Sequence, residues 1–72
     1  MTYRVMFEDA RYKRHDVAIC DNMDAAWQAI GDYLKDIGVK AYYYRSWKND
    51  NNELTIDYGS HSNFFIVQEM FS

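Results

Sequence analysis

The 72-residue sequence has no proline, three glycines and one cysteine. Without proline, and with so little glycine, a Pro/Gly-rich disordered tract is excluded. A lone cysteine, Cys20, excludes an intramolecular disulfide. No stretch approaches the roughly 20 apolar residues of a membrane-spanning helix. The opening Met-Thr-Tyr-Arg-Val lacks the apolar run of a signal peptide. These absences give the expectation of a cytoplasmic protein with no membrane partner. Positive charge is also short, with 8 Lys plus Arg against 11 Asp plus Glu and a net charge of −3. That balance disfavours nonspecific binding to a polyphosphate backbone. Gly31, Gly38 and Gly59 are too separated for a phosphate-cradling loop.

What the chain has in plenty is aromatic rings, 18% of its residues, with seven tyrosines and two tryptophans. One domain spanning residues 1–72 is expected at this length. A monomer of this size buries roughly 60–65% of its unfolded surface. That is enough for one core but not for a deep cleft. Large rings in such a chain either enlarge the core or stand at an interface, where Tyr, Trp and Arg are enriched.

Hydrophobic periodicity sets out the elements. Alternation of Tyr3, Val5 and Phe7 predicts a strand over 2–8, and Val17 and Ile19 predict a short second strand over 16–20, both side chains inward. Met23, Ala26, Trp27, Ile30, Tyr33, Leu34 and Ile37 recur at helical spacing. Asp21 or Asn22 is positioned to cap that helix and Gly38 to end it. Gly31 lies inside it, either for close packing on the sheet or merely tolerated. Aromatic density predicts a strand over 40–47, alternation another over 53–58, and an apolar run a fifth over 64–71. The expected fold is α+β, order β-β-α-β-β-β, with a small antiparallel sheet and one helix packed on one face. One helix covers one face, and the other is left as solvated surface or binding surface.

Strand parity then nominates the uncovered face. With Leu54, Ile56 and Tyr58 inward, and with Tyr42, Tyr44, Phe64 and Ile66 placed inward beside them, the outward set is Met6, Tyr43, Arg45, Trp47, Phe65 and Val67. These six form the candidate protein interface. The plain alternative is that the rings only shelter the ladder. A one-residue register error would exchange the faces. Asp57 is expected outward, near Arg45, as a cross-strand ion pair. A second candidate surface is the basic first loop, Arg11, Tyr12, Lys13 and Arg14, with Lys48, which together with sheet rings is suited to single-stranded nucleic acid. An ordinary solvated loop explains the same residues.

Chemistry-bearing constellations are sparse. Cys20, His15 and His61 lack a zinc-ligand spacing. The 50–53 turn lacks the glycine and closing glutamate of a calcium loop. His61 beside Ser62 is no triad without an orienting group and an oxyanion site, and Asp21 and Asp24 would oppose a Cys20 thiolate. No catalytic residue, metal or cofactor is therefore expected. The expected role is a noncatalytic protein-interaction module, an inhibitor or adaptor working through the open face or an edge strand. In size and composition the chain is similar to small phage and mobile-element proteins that block a host protein. The expected partner is another protein, or a second copy in a homodimer. A nucleic-acid binder and a structural subunit of a larger assembly are the alternatives.

Overall fold

The computed structural model describes residues 2–60 and 62–70. Among these, the chain forms β1 (Thr2–Glu8), β2 (Arg14–Cys20), α1 (Met23–Asp36), β3 (Arg45–Lys48), β4 (Leu54–Asp57) and β5 (Phe64–Met70). The expected order β-β-α-β-β-β holds. The strands make one antiparallel sheet in the order β2-β1-β5-β4-β3. The β1–β2 hairpin and the β3–β4–β5 meander are thus joined by the central β1–β5 pairing, and β2 and β3 are the edges.

The helix begins where the Asn22 side chain accepts from the Ala25 N–H at 2.8 Å, satisfying one of the first-turn donors. It ends in a Schellman motif. Val39 N–H donates to the Leu34 carbonyl at 2.9 Å and Gly38 N–H to Lys35 at 3.1 Å, with Gly38 at φ 74°. Ala26, Ile30 and Leu34 are its buried stripe. The helix packs across β1 and β2. Gly31 is exposed, and a Cβ there would meet nothing within 4 Å, so it is merely tolerated.

Beneath the helix lie Val5, Cys20, Ile56, Tyr58, Phe65 and Val67. Phe65 is 0% exposed, with the rings of Phe7, Tyr58 and Tyr33 at 5.3, 5.5 and 5.9 Å. Burial of one such ring contributes roughly 1.5–3 kcal/mol.

Several sequence expectations are corrected here. Phe65 and Val67 point toward the helix, not outward, because Phe65 stands opposite Phe7 and Ile56, and Val67 opposite Val5 and Leu54. Ile66 and Phe64 take the other face. On β2 the register shifts between Val5 and Met6, so that Ala18 pairs with Val5 but Asp16 with Met6. This bulge leaves Ile19 opposite Arg4 and exposed, while Val17 packs against the core. The third strand starts at Arg45 and not at Lys40. Tyr42, expected inward, is 82% exposed. Tyr44 is partly covered by an edge contact with Trp27 at 5.3 Å. The expected end of the last strand at Phe71 falls outside the described residues.

Candidate functional site

The face opposite the helix carries three ranks of side chains, fixed by the pairing. The first rank runs Arg14, Glu8, Phe64, Asp57, Arg45; the second Asp16, Met6, Ile66, Thr55, Trp47; the third Ile19, Arg4, Gln68, Glu53. Met6, Ile66 and Thr55 at its centre are buried, although no second layer lies over them. The cover comes from the face's own side chains. Arg14, at one corner, makes a two-pronged ion pair with Glu53, at the diagonally opposite corner, with N–O distances of 2.9 and 3.0 Å. Arg14 also donates to Glu8 at 3.2 Å. Glu53 accepts further bonds from Asn49 at 3.0 Å and from Gln68. Strands twist and coil with a fixed hand, which brings one pair of sheet corners together on one face. Arg14 and Glu53 fasten that pair.

This clasp sets the electrostatics. The Arg14 guanidinium, aided by the Asn49 and Gln68 amides, holds the Glu53 carboxyl down to about 2 against the burial that would raise it. The same bond to Glu53 raises Arg14. At neutral pH Glu53 is therefore a fixed anion and not a proton donor. Among the described residues every buried side-chain nitrogen or oxygen has a hydrogen-bond partner. A polar groove of about 570 Å³ beside the clasp is lined by Arg14, Asn51, Asn52, Glu53, Gln68 and Glu69. Nothing in the sequence announces the clasp, since its two ends lie 39 residues apart.

The aromatic surface lies at the β3 edge. Arg45 donates to Asp57 at 2.9 Å, the cross-strand ion pair expected from the sequence. Its guanidinium carbon stands 5.2 Å from the Tyr43 ring centroid, within cation–π range. The bond to Asp57 raises Arg45 further. Trp47 lies beside Phe64, ring centroids 6.1 Å apart, and both belong to the face away from the helix. Tyr42, Tyr43, Tyr44 and Trp47 are all exposed. A shallow cleft of about 190 Å³ lies next to them, lined by Val39, Lys40, Tyr42 and Tyr58 with Gly59 at its base. Gly59 has φ 99°, and a Cβ there would come within 3.2 Å of the Tyr42 Cβ, so glycine is required.

Of the six proposed interface residues, Tyr43, Arg45 and Trp47 are thus together and exposed. Met6 shares their face but is buried beneath the clasp, and Phe65 and Val67 belong to the core. The basic set is divided. Arg11, Tyr12 and Lys13 form the exposed β1–β2 turn, Arg14 is engaged by Glu53 and Glu8, and Lys48 sits on the opposite edge strand. Asp9 caps that turn by accepting from the Arg11 and Lys13 N–H groups. It also pairs with His15 at 2.9 Å, which chiefly accounts for its lowered pKa. Cys20 is buried, and His61 lies outside the described residues. Among those described, no three His, Cys, Asp or Glu side chains group to hold a metal ion, and no helix is long and apolar enough to cross a membrane. Protein-family models, curated proteins and solved structures contain no match to the chain.

Proposed function

We propose that the chain is a noncatalytic cytoplasmic protein-interaction module, an inhibitor or adaptor, whose contact surface is the aromatic segment 42–47 at the β3 edge. One observation carries the reading: four exposed rings and an arginine fall within six consecutive residues, Tyr42 to Trp47. Tyr, Trp and Arg are the residues that dominate protein-interface energetics. Arg45 is already oriented by Asp57 and Tyr43. Less side-chain freedom is then lost on contact, which favours affinity. The size and composition suit the small phage and mobile-element proteins that act by occupying a host protein.

The test is partner capture from host lysate by the wild-type chain and by the double variant Tyr43→Ala, Trp47→Ala. The expected result is loss of the captured partner with the circular dichroism spectrum and melting curve retained. Capture that survives the double substitution removes this segment from the account.

A further inference from the structure

The β3 strand is an edge of the sheet, and all four of its residues are exposed. An edge strand presents unpaired N–H and C=O groups that template a further strand. Which groups point outward follows from the ladder. Asn49 N–H donates to the Glu53 carbonyl, so 49 and 53 are a hydrogen-bonded pair. Bonded and non-bonded pairs alternate in an antiparallel ladder. Trp47–Thr55 and Arg45–Asp57 are then bonded pairs. Ser46 and Lys48 turn their main-chain groups away from β4.

Two further features select what would pair there. Pairing two β3 strands would add the Arg45 and Lys48 charges of one copy to those of the other along one edge. Positive side chains on an edge are a device against self-pairing. Segment 40–48 also carries Lys40, Arg45 and Lys48 and no acidic residue, in a chain of net charge −3. Arg45 is paired with Asp57 on β4, so the cationic character of this edge comes from Lys40 and Lys48, on an acidic molecule. Rings flank it on both sides. Trp47 and the Arg45–Tyr43 pair stand on one side, and Tyr44, against Trp27, on the other.

We infer that β3 receives an extended acidic segment of another polypeptide as a sixth strand, bonded through the main chain of Ser46 and Lys48 and gripped by rings on both faces. Main-chain bonds supply affinity in such strand addition, and the alternate side chains supply choice of partner. The inference rests on the proposed interaction role and goes beyond it in naming the mode and the chemistry of the partner.

The probe is a short synthetic peptide alternating glutamate and valine, compared with its lysine-for-glutamate counterpart. Binding is read by amide chemical shifts and hydrogen exchange of the labelled protein. The acidic peptide is expected to bind at least about tenfold more tightly than the basic one, and to slow exchange at Ser46 and Lys48. Ser46→Pro removes an outward N–H without breaking the β4 ladder, a position where an edge strand tolerates proline. That variant is expected to keep its melting curve and lose the peptide. Lys48→Glu is expected to reverse the preference between the two peptides. No binding, equal binding of both peptides, binding that leaves those two amides unprotected, or binding unaffected by Ser46→Pro each overturns strand addition. Protection of Ser46 and Lys48 that grows with protein concentration alone also overturns it and makes a second copy the occupant. If the Tyr43→Ala, Trp47→Ala variant loses its captured partner while these peptide results fail, the ring surface stands and only strand addition falls.

Discussion

The β1–β2 and β3–β4 turns are built alike from different residues. In the first, Asp9 N–H donates to the Lys13 carbonyl and Tyr12 N–H to the Asp9 carbonyl; in the second, Asn49 and Asn52 take the same roles with Glu53. An Asx side chain accepts twice in each. The fourth residue of each turn is left-handed, Tyr12 at φ 65° and Asn52 at φ 60°. Asparagine tolerates that region, but a bulky ring does so at a cost of roughly 1–2 kcal/mol. Tyr12 is 83% exposed and recovers little by packing. Tyr12→Gly should therefore stabilise the fold, by about 0.5–1 kcal/mol after the extra entropy of glycine in the unfolded chain. Asn52→Gly should gain less. Urea midpoints of the two variants check this, and a destabilised Tyr12→Gly would show that the ring contributes more than its exposure implies.

At the scale of the helix, two glycines predict opposite signs. Gly38 is the left-handed residue of the Schellman motif, with open space around a built Cβ. Gly38→Ala thus meets no clash with neighbours and carries only the backbone penalty, a loss of about 1 kcal/mol. Gly31, mid-helix and equally uncrowded, should gain about 0.5–1 kcal/mol on replacement by alanine. Thermal unfolding of the pair distinguishes the two effects, and equal shifts would contradict the capping geometry. The helix was legible because its caps and apolar stripe are local features, and β1 because Tyr3, Val5 and Phe7 alternate with Arg4, Met6 and Glu8. β5 was not, because Phe64-Phe65-Ile66-Val67 is apolar at both parities and carries no phase of its own. Its orientation is set by Phe7, Val5, Leu54 and Ile56 across the ladder. The three consecutive tyrosines favour strand by propensity, yet only 45–48 pair as β3. Of the six candidate interface residues, Tyr43, Arg45 and Trp47 are exposed as expected, because an Arg on an exposed strand breaks the tie between faces. The bulge at β2 likewise has no local mark in Asp16-Val17-Ala18.

The whole molecule resolves the shortage of covering layers by coiling its sheet. One helix shields one side, and the Arg14–Glu53 clasp, with Glu8, Asn49 and Gln68, closes over Met6 and Ile66 on the other. Sequence could not supply this, because the clasp joins residues distant in the chain and depends on the twist of all five strands. Its acid sensitivity follows from the Glu53 carboxyl, held at about 2 in the folded chain, against an ordinary glutamate value of about 4.3 when unfolded. A depressed pKa means that the unfolded state binds the proton first. The stabilisation is therefore whole above about pH 5 and is lost as pH falls toward 2, by on the order of 3 kcal/mol for this nearly buried group. Other carboxylates also titrate in that window, so the comparison must be between wild type and Glu53→Gln. At neutral pH the variant is expected to be less stable by roughly 2–4 kcal/mol, because Arg14 loses its counter-charge. Between pH 5 and 2 its unfolding free energy should fall less steeply than that of the wild type, so that the two denaturation curves converge in acid. Curves that stay parallel would mean that the Glu53 charge does not fasten the corners of the sheet, and that Met6 and Ile66 are kept dry by the neighbouring rings alone.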